Sequence, residues 1–170
     1  MDSSVLHKIS YGMYIVGSVS DGKINAQTAN AVMQITSEPQ AIAASINKQN
    51  LTHEYIKESK VFSVSVLSKE APLKLIGQFG FKSGRDTDKF KDVNYKIGST
   101  GSPIVLDNVI GYIEAKVVNS FDAGSHTVFL AEVAEGEILN SEEPMTYAYY
   151  HEVKRGTSPK TAPTYINKEG

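Results

Sequence analysis

The chain contains no cysteine in its 170 residues. It therefore cannot form a disulfide framework, and it offers no thiolate for a zinc site, an iron–sulfur cluster or nucleophilic catalysis. A domain of this length buries roughly two thirds of the surface that its unfolded chain exposes, so it can fold without such cross-links. Any redox chemistry of this protein must come from a bound cofactor.

The sequence also lacks a strong excess of charge and a long apolar run. Its 17 basic and 19 acidic residues give a net charge of -2, which excludes the broad basic surface typical of nucleic-acid binding. No apolar stretch approaches the roughly 20 residues that span a bilayer, and the first residues do not look like a signal peptide. We therefore expect a soluble, cytoplasmic protein with no nucleic-acid or membrane partner.

Familiar catalytic motifs are missing as well. The sequence has no Gly-x-Ser-x-Gly nucleophile motif and no Rossmann glycine fingerprint, and its four histidines lack the spacing of metal ligands. We therefore predict no metal site. His126 follows Gly124 and Ser125 at the start of a strand, where it can reach a pocket mouth as a donor or proton carrier, although a lone histidine is more often an ordinary turn residue.

Short apolar runs with period-two alternation dominate the chain and predict strands. Asp21 and Gly22 follow the first run and supply the positive φ angles of a tight hairpin turn. The predicted strands cover residues 12–20, a returning strand from about residue 23, and residues 41–46, 61–67, 104–106, 109–120 and 127–139, with a turn at 121–125. The fold class is therefore mainly β with antiparallel closure and a few short helices.

Two short helices are predicted between these strands, the first capped by Thr52 and the second by Ser68. Residues 81–92 are too charged for a strand and too long for a hairpin turn, so they are predicted to form a functional loop with at most one helical turn. Residues 1–150 are expected to form one domain. Residues 151–170 show little apolar periodicity and are expected to form an arm that packs on this domain or on a dimer partner.

Three polar segments can form a ligand site. Residues 25–33 combine small and amide side chains that suit a planar polar ligand. Residues 45–53 lead into a helix N-terminus, where backbone N–H groups and Lys48 suit a phosphate. Residues 79–90 bring three phenylalanines close to cations and can cover an aromatic ring. Taken singly, the segments also fit an edge strand, a capped helix and a solvated loop.

The order of these segments resembles the flavin reductase-like family, whose members fold as FMN-binding split barrels. The resemblance runs over most of the chain, and residues 149–165 resemble the ends of the branch that includes flavoredoxin and the flavin domain of high-molecular-weight rubredoxin. The motifs that carry the resemblance are Asp21-Gly22 with Asn25 and Thr28, Ser45 with Asn47-Lys48, Asn50 with Thr52-His53, the strand at 62–67, Phe79-Gly80 with Ser83-Gly84 and Lys89-Phe90, and Gly124-Ser125-His126.

The resemblance implies an antiparallel split β-barrel that binds FMN non-covalently, in a homodimer with the flavin near the subunit interface. It implies an NAD(P)H-dependent oxidoreductase that passes electrons through FMN to free flavin, ferric iron or a small redox protein. The implied cofactor-binding residues are Gln27, Thr28, Ala29 and Asn30 at the flavin ring, Ser45, Asn47, Lys48 and Thr52 at the ribityl-phosphate end, and Phe79, Gly80, Ser83, Gly84 and Lys89, which close the site. His126 is the candidate contact to a substrate or to nicotinamide.

Two features of the sequence limit this interpretation. A rubredoxin needs four cysteine ligands, so any rubredoxin partner must be a separate protein. Without a Rossmann fingerprint, nicotinamide is expected to dock transiently over the flavin. Two alternatives stay open: an FMN-containing electron carrier that does not oxidise nicotinamide directly, and a non-enzymatic β-barrel that binds another planar ligand.

Overall fold

A computed structural model describes residues 2–165. Within this range the chain forms nine strands, three α-helices and one short 3-10 helix. In chain order they are the 3-10 helix Ser3–Lys8, β1 Tyr14–Ser20, β2 Lys23–Ala29, β3 Val32–Ser37, β4 Gln40–Asn47, α1 Leu51–Ser59, β5 Val61–Leu67, α2 Leu73–Gly80, β6 Tyr95–Ile97, β7 Pro103–Val105, β8 Val109–Ala123, β9 His126–Ile138 and α3 Tyr147–Glu152.

Seven strands form one antiparallel sheet in the order β2-β1-β5-β8-β9-β4-β3, and β6 pairs with β7 in a separate small sheet. The first hairpin turns at Asp21 and Gly22, whose φ angles of 48° and 72° are those that a two-residue hairpin turn requires. The predictions of a mainly antiparallel β fold and of this hairpin are confirmed. No helix within residues 2–165 is long and apolar enough to cross a membrane.

Two hydrophobic clusters stabilise the sheet, one on each face of β1 and β5. Phe62 and Val64 of β5 pack into one cluster with residues of β4 and β9. Ser63 and Ser65 lie on the opposite face of β5 and are also buried, and the Ser63 hydroxyl donates to the carbonyl of Pro103 in β7. Because β5 is covered on both sides, its alternation of apolar and serine residues does not mark a solvent-exposed face.

The starts of both predicted helices differ from expectation. Asn50, not Thr52, precedes α1, and the Thr52 side chain lies inside the helix, where its oxygen accepts a hydrogen bond from Asn25 Nδ2 at 2.8 Å. α2 begins after Pro72 rather than after Ser68. The predicted caps are therefore wrong: a tertiary partner uses the Thr52 hydroxyl, and Pro72 disfavours helical backbone at the residue before it.

Several elements were not predicted or have other bounds. β3, β6 and α3 were missed, and β8 extends to Ala123, which leaves only Gly124 and Ser125 for the turn that was predicted over 121–125. Residues 81–92 form turns and no helix. The arm predicted over 151–170 begins within α3 and continues without regular structure to residue 165, and its last five residues lie outside the described range.

Candidate functional site

A cavity of about 350 Å³ lies where the ends of β2 and β4 meet the start of α1, the end of α2 and the C-terminal arm. Its volume is in the range of small-molecule and cofactor sites. The structure brings together at this cavity all but one of the predicted site residues. They are Gln27, Thr28, Ala29, Asn30, Ser45, Asn47, Thr52, Phe79, Gly80, Ser83, Gly84, Lys89 and His126.

Lys48 is the exception. Its ammonium group lies 2.7 Å and 2.8 Å from the two carboxylate oxygens of Asp122, and Lys48 is not among the described residues that line the cavity. Asp122 belongs to the extension of β8 that was not predicted, and the hydrogen bond from Lys48 lowers the pKa of the Asp122 carboxyl. In this structure the β8–β9 hairpin thus supplies a surface partner for Lys48, and the expectation that Lys48 neutralises a ligand phosphate stays a prediction.

β2 forms one wall of the cavity and is hydrogen-bonded to both α1 and α2. Thr28 Oγ1 donates to the carbonyl of Ile76 in α2 at 2.8 Å, and Asn25 links β2 to Thr52 in α1. Gln27 lies between these two anchors on the same strand and also lines the cavity. Its side-chain oxygen is buried and has no hydrogen-bond partner within residues 2–165.

His126 also lines the cavity, and it too has a buried polar atom without a hydrogen-bond partner in the described chain. Its Nδ1 lies 2.9 Å from the hydroxyl oxygen of Ser125, whereas its Nε2 has no partner with good hydrogen-bond geometry within residues 2–165. Burial lowers the pKa of His126, so the imidazole is predominantly neutral at pH 7. The Thr161 backbone lies near the imidazole and raises its pKa, which offsets part of the effect of burial. Leaving a buried polar atom unpaired costs about 1–3 kcal/mol. The cavity therefore suits a ligand that supplies hydrogen-bonding groups to both Gln27 and His126.

The start of α1 forms the end of the cavity that suits an anion. Asn50 makes no side-chain capping bond, and the His53 N–H donates to the Asn50 carbonyl at 3.0 Å. The N–H groups of Leu51 and Thr52 are thus left for a ligand, together with the positive end of the helix dipole. The Thr52 hydroxyl accepts from Asn25 and keeps its own proton for a ligand. Gly84 packs so closely on this end that a Cβ atom there would collide with the Asn25 side chain.

The charges around the cavity have one sign. Three lysines, Lys82, Lys89 and Lys160, line it, and none of the described lining residues is Asp or Glu. Lys89 is only 4% exposed, and no acidic side chain within residues 2–165 pairs with it. Burial lowers the pKa of Lys89 to about 8. A buried cation without a counter-ion is costly, so the cavity favours an anionic ligand.

The C-terminal arm covers one side of the cavity, and sequence reasoning did not assign its contacts. Residues 157–163 line the cavity together with Tyr147 and Tyr150 of α3. The Tyr150 hydroxyl donates to the carbonyl of Thr157 at 2.8 Å, and Asn47 Nδ2 donates to the carbonyl of Thr161 at 3.2 Å. The distinctive tail at 149–165 was the only signal in the sequence for this role.

The described residues hold no group of three or more His, Asp or Glu side chains close enough to bind a metal ion. The polar atoms of the cavity are instead amides, hydroxyls, one imidazole and lysine ammonium groups. This set can bind a planar ligand with hydrogen-bonding edges and a negatively charged tail.

Comparisons with known proteins agree with this chemistry. Residues 6–158 match the model of the flavin reductase like domain family. The chain is 53% identical, over 97% of its length and 72% of the relative's, to the high molecular weight rubredoxin of Moorella thermoacetica. It is 47% identical, over 99% of its length and 100% of the relative's, to the ferric-chelate reductase (NAD(P)H) of Archaeoglobus fulgidus.

Solved structures show the same fold. The NADH:FAD oxidoreductase of Streptomyces globisporus aligns with a TM-score of 0.76 at 22% identity, covering 84% of this chain and 83% of that chain. The flavoredoxin of Methanosarcina acetivorans aligns with a TM-score of 0.70 at 22% identity, covering 76% of this chain and 69% of that chain. The prediction of a split barrel is confirmed by these comparisons.

Proposed function

The chain belongs to the flavin reductase-like family, and from this premise we propose that it binds FMN and transfers electrons from NAD(P)H, through the flavin, to a ferric chelate, to free flavin or to a small redox protein. The observation that carries the proposal is the charge of the cavity. Three lysines line it, one of them buried without a counter-ion, and none of the described lining residues is a carboxylate. A net acidic chain that gathers only positive charge around one cavity is suited to bind an anion there.

The residues of the cavity fit FMN at both ends. Gln27 and His126 carry the unpaired polar atoms that would meet the hydrogen-bonding edges of the ring system. The start of α1, Thr52 and Lys89 would hold the phosphate. Bound FMN would supply the chemistry of hydride acceptance and electron transfer. The chain's own residues bind and orient the ligands and exclude water, which accounts for the lack of a recognisable catalytic triad.

A ferric chelate is the acceptor that the relatives support best. One relative that aligns over its full length is named ferric-chelate reductase (NAD(P)H). Synthetic and biological ferric chelates are commonly anionic, and the exposed Lys82 and Lys160 add positive charge where the cavity opens. The same charge would attract the phosphates of NAD(P)H.

An electron carrier is the second candidate, and one specific observation favours it. A relative at 53% identity is named a high molecular weight rubredoxin and extends beyond the region that matches this chain, whereas this chain has no cysteine. If electrons flow to a rubredoxin, the four cysteine ligands of its iron lie outside these 170 residues. We also propose a homodimer, which light scattering would detect as a mass of twice 18.5 kDa.

Two spectroscopic steps test the proposal. The purified protein is first incubated with FMN, freed of excess and examined for flavin absorbance; a colourless product would refute FMN binding. The loaded protein is then mixed anaerobically with NADH or NADPH in a stopped-flow instrument, followed by ferric-EDTA. We expect rapid bleaching and then recovery of the flavin absorbance with formation of ferrous iron. Flavin absorbance that neither NADH nor NADPH bleaches would favour the electron carrier over the reductase.

A further inference from the structure

Four consecutive hydrogen bonds run from the wall of the ligand cavity through the C-terminal arm. Asn30 Nδ2 donates to Thr164 Oγ1 at 2.9 Å, and Thr164 Oγ1 donates to the Tyr147 hydroxyl at 2.8 Å. The Tyr147 hydroxyl lies 2.6 Å from Ser158 Oγ, which lies 3.2 Å from His151 Nε2. His151, Ser158 and Thr164 lie in the tail at 149–165, and Tyr147 lies just before it in α3. The proposed function gives these four residues no role.

The chain of hydrogen bonds has a direction. The Asn30 nitrogen can only donate, which leaves the Thr164 hydroxyl proton for Tyr147. Because the Tyr147 hydroxyl accepts from Thr164, its own proton is free to be donated to Ser158, and the Ser158 proton can then be donated to His151. In this orientation His151 Nε2 ends the chain as an acceptor, and a neutral His151 carries its hydrogen on Nδ1.

The hydrogen-bonded path from Tyr147 through Ser158 to His151 runs from one cavity to another. Tyr147 and Ser158 line the ligand cavity, and they also border a second, outer cavity of about 1020 Å³. His151 lines the outer cavity and does not line the ligand cavity. The exposed residues Lys8 and Glu152 also line the outer cavity, which places it at the surface. The three residues thus connect the ligand cavity to solvent.

The imidazole of His151 is held in place for this contact. The Tyr147 ring packs edge-on against it with ring centroids 4.3 Å apart, and the Tyr150 ring packs against it at 5.0 Å. Burial lowers the pKa of His151, which keeps Nε2 available as an acceptor at neutral pH. The other titratable residues that line the outer cavity make no hydrogen bond to Tyr147, Ser158 or His151 within residues 2–165. They are His7, Lys8, Tyr11, Glu152, Lys160 and Tyr165.

We propose that Tyr147, Ser158 and His151 form a proton-transfer path between the ligand cavity and the outer cavity. The proposal rests on the proposed function, because a flavin held in the ligand cavity would release a proton there when it is oxidised. A hydride from NAD(P)H brings two electrons and one proton into the site. When two ferric ions take the two electrons, Tyr147 accepts the proton at its hydroxyl, passes its own proton to Ser158, and Ser158 passes one to His151 Nε2. The imidazolium then releases the proton to solvent.

The kinetic test separates proton release from electron transfer. FMN-loaded protein is reduced anaerobically and mixed with ferric-EDTA in weakly buffered solution that contains a pH indicator, while flavin absorbance is recorded in parallel. In the wild type, the proton is expected to appear together with oxidised flavin. S158A and Y147F should delay proton release on the order of 100-fold relative to flavin oxidation. S158T keeps the hydroxyl and should restore simultaneous release.

T164V is the matched control. It breaks the hydrogen bonds on the Asn30 side of Tyr147 and leaves the contacts of Tyr147, Ser158 and His151 in place. The proton path therefore predicts normal proton release in T164V. If the hydrogen bonds only fasten the arm, T164V and S158A should behave alike, and that result would overturn the proposal, as would simultaneous release in S158A. Limited proteolysis reports in each variant whether the arm stays docked.

A second measurement does not depend on flavin at all. Imidazole ¹⁵N NMR spectra of the FMN-free protein report the tautomer and the pKa of His151. We expect the Nδ1–H tautomer in the wild type and a changed His151 titration in S158A. An Nε2–H tautomer would overturn the proton path, even in a protein that reduces iron normally. Failure to bind or to reduce FMN would refute the proposed function, and the tautomer would still decide whether His151 ends the chain as an acceptor.

Discussion

The ammonium group of Lys48 lies 2.7 Å from Oδ1 of Asp122, outside the ligand cavity. The side chains of Lys48 and Asp122 are 37% and 73% exposed, so the pair contributes only about 0–1 kcal/mol to stability. A lysine that is already paired with a surface carboxylate is the weaker candidate for the counter-charge of a buried phosphate. Lys89, buried beside the Phe79 ring and without an acidic partner in the described chain, is the better candidate.

Replacing Lys89 should therefore distinguish FMN from riboflavin. K89M keeps an apolar chain of similar length and removes the charge, so FMN binding should weaken by about 10- to 150-fold, as expected for a lost charge-assisted hydrogen bond. Riboflavin has no phosphate, and its affinity should change little. Quenching of flavin fluorescence measures both dissociation constants. K48M is the control, and a larger loss of FMN in K48M than in K89M would contradict the assignment.

The low pKa of Lys89 predicts how FMN binding depends on pH. Burial lowers the pKa of this amine to about 8 in the ligand-free protein, and only the protonated amine attracts the phosphate dianion. FMN affinity should therefore fall as the pH rises through 8, by up to about tenfold per pH unit. Riboflavin affinity should stay flat over the same range. Titrations between pH 6.5 and 9.5 test this, and the slope for FMN should vanish in K89M.

Gly84 should tolerate no side chain. A Cβ atom at this position would collide with the side chain of Asn25, whose amide holds Thr52 at the start of α1. Relieving this overlap should cost about 1–3 kcal/mol and weaken FMN binding. G77A is the control, because a Cβ atom there meets only the Phe81 ring at 3.8 Å. Alanine within helix α2 should raise stability by about 0.5–1 kcal/mol.

Thermal denaturation and FMN titration of G84A and G77A measure these effects. If G84A binds FMN as tightly as the wild type, then the contact between the loop and Asn25 does not shape the site. If G77A also loses FMN, the effect of G84A is not specific to its position.

Glu114 should stabilise the fold in a pH-dependent way. The carboxylate is 1% exposed and accepts hydrogen bonds from the backbone and hydroxyl groups of Ser99 and Thr100. Burial alone would raise the pKa of Glu114, but these four hydrogen bonds outweigh it and hold the pKa below its ordinary value of 4.5. The stabilisation is therefore complete above pH 4.5 and is lost as the pH falls through the lowered pKa.

The variant E114Q tests this expectation. Glutamine would place its NH2 group opposite the N–H and hydroxyl donors of Ser99 and Thr100, where it cannot accept a hydrogen bond. The substitution should therefore lower the free energy of unfolding by about 2–3 kcal/mol at pH 7. Urea denaturation at pH 7 and at progressively lower pH measures the difference between the two proteins. The difference should shrink in acid; a difference independent of pH would show that packing, not charge, is lost.

Local patterns in the sequence predicted much of the fold. The strand at 61–67 has the bounds of β5, because alternating β-branched and aromatic residues favour extended backbone whatever surrounds them. The hairpin at Asp21 and Gly22 was predictable in the same way, because an Asp-Gly dipeptide readily adopts the positive φ angles that the turn requires. α3 and the short β6 were missed because they have only six and three residues, too few for a period to be recognised, although Thr146 caps α3 and β6 pairs with the nearby β7.

The site was predictable in part for the same reason. Segments 25–33, 45–53 and 79–90 each carry polar residues at an element end, and the tertiary fold brings those ends to one cavity. The buried polar atoms of Gln27 and His126 could not be recognised in the sequence, since a glutamine or histidine in a strand gives no sign of whether its side chain finds a partner. Tyr147 and Tyr150 were missed because a tail without periodicity does not show where it packs.

The sequence by itself determined the antiparallel strands, the polar segments and the absence of any redox chemistry without a cofactor. Only the tertiary structure decided which lysine faces the cavity and where the arm lies. Lys48 and Lys89 are chemically identical, and their roles differ because the hairpin of β8 and β9 brings Asp122 to one of them and burial leaves the other without a counter-ion. Such a difference depends on distances between segments far apart in the chain, which no local pattern encodes.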